Sequence, residues 1–253
     1  MPTGRSRFVV APLVALTLVA SACNSATTGS GAIGGAPSVD GAGADSGVDV
    51  PLPTIGLGSD TGSSGGAVTD ASGITRAVMI GDSITVGATP FLIERFGTVG
   101  LPVEIGAQEG KRIDVSWGSN PAGTRVAEQF VAGGVGTAGD AVWIVALGTN
   151  DIGQYAAQGE VEQEIRDLLA FVPSDAPLVW INTWFRDRPD ATTMVNAAIE
   201  SVMRERGNAT IGDWSSVAPI EGVLRSDGVH PNDDGAAVFA DLVVGTVRDF
   251  LQA

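Results

Sequence analysis

Cysteine and histidine each occur once in this 253-residue chain, and basic residues number 14 against 29 acidic ones. A single cysteine leaves no partner for an intrachain disulfide and no multi-cysteine zinc or iron–sulfur set. A single histidine removes every metal motif that needs two. The formal charge of −15 speaks against a nucleic acid partner, because phosphate backbones are held by clustered Lys and Arg. It speaks equally against an electrostatic hold on anionic lipid. No collagen or coiled-coil period is present, and an apolar content of 44% is too high for wholesale disorder. The length suits one domain with additions better than two full domains.

The first segment reads as an export signal. Arg5 and Arg7 precede an apolar run from Phe8 to Ala20, followed by Ser21-Ala22-Cys23. That run is too short to span roughly 30 Å of hydrocarbon as a helix rising about 1.5 Å per residue. A charged start, short apolar centre and small-residue exit describe a secretory signal over residues 1–22. Val19-Ala20-Ser21-Ala22-Cys23 also resembles a bacterial lipobox, with Ala20 where such boxes usually carry Leu. The resemblance implies lipidation of Cys23 and a cell-surface lipoprotein outside the cytoplasm, touching the membrane only through its lipid. An ordinary cleavage site with an incidental thiol is the alternative. Residues 23–73 are rich in Gly, Ser and Ala and contain no Lys or Arg. Such a stretch buries too little apolar surface to offset chain entropy, so it reads as a disordered, flexible tether.

From Ile74 onward the pattern changes. Short continuous apolar runs at Ala77–Ile80, Val103–Ile105, Ala141–Leu147 and Leu178–Ile181, with a weaker one at Ala209–Ile211, suit strands buried on both faces of a parallel sheet. Between them, Val161, Ile165, Leu168 and Leu169 form a helical stripe that Pro173 stops. Val195, Ala198, Ile199, Val202 and Met203 form another, ended by Gly207, and Phe239, Leu242, Val243, Val247 and Phe250 a third. The alternation predicts an α/β domain over residues 74–253 with a mainly parallel five-stranded sheet covered on both faces. In such sheets ligands bind beyond the carboxyl ends of the strands.

Gly81-Asp82-Ser83-Ile84 follows the first strand, Gly148-Thr149-Asn150-Asp151 the third, and Asp227-Gly228-Val229-His230 precedes the last helix. A serine hydroxyl is a poor nucleophile until a neighbouring base takes its proton, and histidine suits that task because it titrates near neutrality. With one histidine available, a Ser–His mechanism must use His230. Asp227 can orient that imidazole across one tight turn and stabilise its charged form. The Ser83 amide, a loop-glycine amide and the Asn150 side chain can supply donors to an oxyanion. Taken singly these residues have plainer readings: Ser83 as a helix N-cap, Asp82 and Asp227-Gly228 as turn residues, Asn150 as a strand exit. Their joint occurrence at strand ends favours catalysis.

With these residues the chain resembles the SGNH hydrolases, the GDSL-type esterase superfamily, across residues 76–253. The family's four letters are matched by Ser83, a glycine, Asn150 and His230, with Ile84 where the name-giving motif has Leu. The glycine is placed at Gly110, with Gly106 as the competing choice. The resemblance implies a three-layer α/β/α sandwich of flavodoxin-like type and a serine esterase or acyltransferase that uses no metal or organic cofactor. It is closest to the extracytoplasmic domains of peptidoglycan O-acetyltransferases, which share a Gly-Lys-Arg-like block and an Asp-Trp pair, here Gly110-Lys111-Arg112 and Asp213-Trp214. Those domains are usually fused to a multi-span membrane part; none is seen in this sequence, which favours hydrolysis over transfer.

The expectation is therefore an exported serine esterase, with Ser83, His230 and Asp227 catalytic and Ser83, Gly110 and Asn150 holding the oxyanion. Its partner would be a short-chain ester, acetyl above all, on an acetylated polysaccharide by resemblance. An O-acetyltransferase and a non-catalytic surface binding module are the rivals. Gly134–Gly139 fits a dinucleotide fingerprint by letter but precedes a strand, so it cannot set phosphate on a helix N-terminus. Trp184–Arg188 follows the fourth strand and either lines the substrate cleft or packs beside it.

Overall fold

A computed structural model describes residues 73–253. The signal-like segment, Cys23 and the tether up to residue 72 lie outside the described residues. The folded chain alternates strand and helix: β1 Arg76–Gly81, α1 Ser83–Thr98, β2 Val103–Ala107, α2 Gly123–Ala132, β3 Ala141–Ala146, α3 Gln158–Leu169, β4 Leu178–Ile181, α4 Pro189–Arg206, β5 Ala209–Gly212, α5 Trp214–Val217 and α6 Asp233–Leu251. All five strands are parallel, in the order β2-β1-β3-β4-β5. The strands β3 and β4 are buried at every position, as expected where helices cover both faces of a sheet.

Successive side chains leave the sheet on opposite sides, and this divides the core in two. Ala77, Met79, Val142, Ile144 and Val179 pack under α1 and α6 with Leu92, Phe96, Phe239 and Val243. Val78, Ile80, Trp143, Val145 and Trp180 pack under α2, α3 and α4 with Val161, Ile165, Val195 and Ile199. The architecture is thus a three-layer α/β/α sandwich of flavodoxin-like strand order. Among the described residues no helix is long and apolar enough to cross a membrane.

The strand runs and three apolar helical stripes read from the sequence fall within β1–β5, α3, α4 and α6, except that Leu147 lies just past the end of β3. α1 carries no comparable stripe, whereas α2 has a short one in Val126, Ala127, Phe130 and Val131. Gly87, Pro90 and Gly97 stand on the exposed side of α1, and the small Thr85 and Ala88 share its buried face with Ile84, Leu92 and Phe96, which weakens its local pattern. Helix boundaries have local causes: Pro189 opens α4, Gly207 closes it at a φ of 84°, and the Asn232 side chain caps α6 by accepting from the Gly235 N–H.

Strand order fixes where a site can form. From β1 the chain crosses to β2 on one side, then returns past β1 to β3 on the other. The segments after β1 and β3 therefore splay apart at their carboxyl ends, opening a crevice. The residues following those two strands are Asp82-Ser83 and Leu147 to Asn150.

Candidate active site

At the mouth of this crevice α1 begins on Ser83. The N-cap is Asp82, not Ser83: its carboxylate accepts from the Ile84 N–H at 3.0 Å, which leaves the serine hydroxyl unused by the helix. Gly81 permits the tight strand-to-helix turn, because a Cβ there would overlap the Thr85 side chain one helical turn on. Ser83 is thereby held at the helix start with its Oγ 2.9 Å from His230 Nε2.

His230 comes from the loop before α6. Its Nδ1 lies 2.9 Å from Asp227 Oδ2, and the other Asp227 oxygen accepts from the N–H groups of Val229 and His230 at 2.9 and 3.0 Å. Gly228, at a φ of 72°, makes this turn possible. Burial pulls the Asp227 carboxyl up, but those two N–H donors and the imidazole outweigh it and bring it down to about 2. The carboxylate stays charged wherever histidine is neutral, which fixes the tautomer that presents a bare Nε2 to the serine.

Ser83, Glu109, Gly110, Asn150, Arg225 and His230 line one cavity of about 480 Å³. Neither the Ser83 nor the Gly110 N–H has an acceptor among the described residues. Gly110 stands in the loop after β2 at a φ of 70°. Gly106 instead lies within β2 opposite Ile80, and a Cβ there would press on Val126 and Phe130. Its smallness serves the packing of α2. Asn150 sits in the short 3-10 turn Thr149–Asp151 after β3. Its Nδ2 donates to Lys111 O at 3.1 Å and, at 3.3 Å, to Asp82 Oδ2.

Three features beneath the cavity have no obvious signal in the sequence. Asp82 is fully buried, and burial pushes its carboxyl up to about 7 against the lowering effect of the Ile84 N–H and the Thr149 hydroxyl. Asp151 is likewise buried; it pairs with Arg112 Nε at 3.0 Å and accepts from the Ile113 N–H. Burial still pushes Asp151 up to about 6. Arg112 also donates to the Tyr155 hydroxyl at 2.6 Å. Lys111 is buried as well, its ammonium donating to Pro121 O at 2.7 Å and to Asn120 Oδ1. Asp82, Lys111, Arg112 and Asp151 all stand inside the motifs, but their partners lie up to tens of residues away and have no sequence pattern.

Trp184–Arg188 does not line the cavity. Arg186 donates to the carbonyls of Ser226 and Arg225, beneath the His230 turn, and Arg188 stacks on Phe185 and donates to Ile152 O. These residues brace loops. Asp213 caps α5 through the Ser216 N–H, and Gly134–Gly139 ends in the turn before β3 with Gly136 against Trp143. Among the described residues no three His, Cys, Asp or Glu side chains gather as a metal site requires.

A serine on a tight strand–helix turn, a hydrogen-bonded Asp–His pair from a late loop and an Asn after the third strand form one constellation. The family model described as GDSL-like lipase/acylhydrolase matches residues 79–238, which contain all of it. The chain belongs to that family. Solved members of the GDSL/SGNH fold agree. The C-terminal catalytic domain of peptidoglycan O-acetyltransferase A from Streptococcus pneumoniae, with a methylsulfonyl adduct, is 16% identical at a TM-score of 0.53, over 71% of this chain and 96% of that one. A psychrotrophic esterase from Pseudoalteromonas is 11% identical at 0.56, over 71% and 100%. A carbohydrate acetylesterase family member from Sinorhizobium meliloti is 14% identical at 0.54, over 71% and 100%. At such identities the likeness is one of fold. No curated protein matches the chain. Membership in this family places the chain among the GDSL-like lipases and acylhydrolases.

Proposed function

We propose that this GDSL-family protein is a serine esterase that removes short acyl groups, acetyl above all, from a carbohydrate. The observation that carries the reading is the continuous Asp227–His230–Ser83 chain, with 2.9 Å at each link, opening on a cavity. Ser83 Oγ attacks the ester carbonyl as His230 Nε2 takes its proton, and Asp227 stabilises the imidazolium formed. The N–H groups of Ser83 and Gly110 and the Asn150 amide receive the developing oxyanion. His230 then protonates the leaving alcohol, and the acyl group stays on Ser83. Water, deprotonated by the same imidazole, attacks the acyl-enzyme and releases the acid. No step needs a metal or organic cofactor.

A sugar hydroxyl in place of that water would make the same site an O-acetyltransferase. The open groove that continues from the cavity, described below, favours keeping this second reading, because it leaves room for an acceptor beside the acyl-enzyme. The intact hydrogen-bonded triad speaks against a non-catalytic binding module. Export and anchoring at Cys23 complete the proposal: replacing Cys23 by Ala should release the protein from the membrane fraction and abolish labelling by a clickable fatty acid.

Acetate release from p-nitrophenyl acetate by residues 74–253, with and without a chitooligosaccharide, tests the activity. Ser83→Ala is expected to lower kcat by at least about 10³. Acetylated sugar in the mass spectrum would move the assignment to transfer. Turnover that is independent of Ser83, or a wild-type Ser83 inert to a serine-directed phosphonate, would sink the mechanism.

A further inference from the structure

Four of the chain's five tryptophans are buried or half-buried, and Trp143, Trp180 and Trp214 are wholly enclosed. Trp117 is 77% exposed. Leaving so large an apolar face in water forgoes the burial free energy that places aromatic side chains inside, and its surroundings are built rather than loose. Trp117 and Asn120 exchange backbone hydrogen bonds at 3.0 and 2.9 Å around the turn Trp117–Asn120, with Gly118 at a φ of 57°. The Asn120 side chain donates to Glu109 O at 2.6 Å, Lys111 grips Pro121 O, and the Ala122 N–H donates to Ser116 Oγ. Lys111 is the only lysine in the chain, and its apolar stem and charge are spent on this brace. The turn carrying the indole is therefore fastened to the loop that carries Gly110.

The indole also borders a groove. A cavity of about 880 Å³ runs from Trp117 past Gln108, Ser119 and Asn120, and it shares Val86, Glu109 and Gly110 with the catalytic cavity. One exposed aromatic face, one valine, one alanine and a rim of amide, carboxylate and hydroxyl groups do not make a channel for an acyl chain, which would want aliphatic walls throughout. They match a ring with an apolar C–H face and hydroxyls at its edge. We infer that this groove is the subsite for the alcohol part of the substrate, a neutral glycan whose pyranose ring stacks on the Trp117 indole. Neutrality follows from charge: Glu109 lines the groove, no basic residue does, and the chain carries a net −15. A uronic acid polymer would be repelled there. The inference deepens the esterase reading by naming the sugar side of the ester and rests on it for the acyl side alone.

Two measurements separate the inference from that reading. Binding is followed by calorimetry on Ser83→Ala, which needs no turnover, using xylohexaose and chitohexaose as neutral probes and a hexagalacturonate as the acidic one. A neutral hexasaccharide is expected to bind, hexagalacturonate at least tenfold more weakly. Adding Trp117→Ala should weaken the neutral ligand at least tenfold, and Trp117→Phe should recover part of the loss. Turnover is then compared on acetylated xylooligosaccharide and p-nitrophenyl acetate. Trp117→Ala should lower the ratio of their kcat/KM values about tenfold, through KM. Equal losses on both esters would make Trp117 a structural residue and overturn the inference. So would failure of both neutral glycans to bind, preference for the acidic one, or a Trp117 effect confined to p-nitrophenyl octanoate over acetate. If the wild type hydrolyses neither ester but Ser83→Ala binds neutral glycan through Trp117, the esterase reading falls and the glycan subsite stands.

Discussion

The Asn150 side chain has two amide hydrogens and, in the proposed acyl transfer, three acceptors for them. In the resting structure both are committed, to Lys111 O and to Asp82 Oδ2, and the bond to Asp82 is the longer at 3.3 Å. It is this bond that an oxyanion would draw on, because a hydrogen bond to a newly formed alkoxide in a low-dielectric pocket is stronger than a long one to a buried carboxyl. Asn150→Ala is therefore expected to lower kcat on p-nitrophenyl acetate by about 10²–10³, the usual consequence of deleting one oxyanion donor, with KM changed far less. A loss below tenfold in steady-state kinetics would assign the oxyanion to the Ser83 and Gly110 amides alone. The motifs made Ser83, Asn150, Asp227 and His230 legible in the sequence as candidates, because the proposed chemistry demands those residue types. The accepting role of Asp82 was not legible. By sequence it is a turn residue, and only the closure of α1 over it makes it a buried carboxyl.

At the scale of an element, the loop from β2 to α2 carries Gly110 and Trp117 yet contains almost no regular structure. Its order comes from two buried charged groups. Arg112 ties it to the Asn150 turn through Asp151, whose side chain is wholly enclosed, and Lys111 ties it to the Trp117 turn. Arg112→Met would leave the Asp151 carboxylate without its partner, a change that costs about 3–5 kcal/mol for a buried pair. The folded-state pKa of Asp151, already raised to about 6, would then rise further. The variant should accordingly be more destabilised at pH 8, where the stranded carboxylate must be charged, than at pH 5, where it can be neutral. Thermal melts at both pH values check this; an equal shift at each would show that the pair contributes packing only. The sequence offered Gly110-Lys111-Arg112 as a block of letters. That Arg112 reaches an aspartate 39 positions on is a product of the β2–β3 crossover past β1 and has no local signature.

For the molecule as a whole, the buried carboxyls set the pH dependence of stability. Asp82 and Asp151 titrate near 7 and near 6 when folded, above the ordinary 3.8. Between those values the native state holds protons that the unfolded chain has released. Their contribution is most favourable below about pH 4 and is lost as pH rises through about 7. Asp227 acts in the opposite sense, its carboxyl lowered to about 2, so its contribution is present above about pH 4 and disappears as pH falls towards 2. Stability should peak in mildly acidic solution, with Tm at pH 5 several degrees above that at pH 8, given about 2–4 °C per kcal/mol for a domain of this size. Asp82→Asn should flatten that slope; a variant as pH-sensitive as the wild type would exonerate Asp82.

The sequence by itself determined the central strands β1, β3 and β4, because continuous apolar runs of four to six residues bounded by turns suit burial between two helical layers. It also narrowed the candidate chemistry, because a chain with one histidine and a strand-end serine has one way to build a Ser–His pair. Tertiary structure decided what sequence order cannot carry. The reversal of strand order around β1 brings positions 83, 150 and 230 to one cavity. The approach of α2 to β2 occupies the space at Gly106 and leaves Gly110 at the site. Long-range hydrogen bonds make a structured wall of an irregular loop and hold Trp117 in water beside it. Apolar periodicity is a local property that each segment satisfies against any partner face. Which distant polar groups meet depends on the crossovers of the whole sheet.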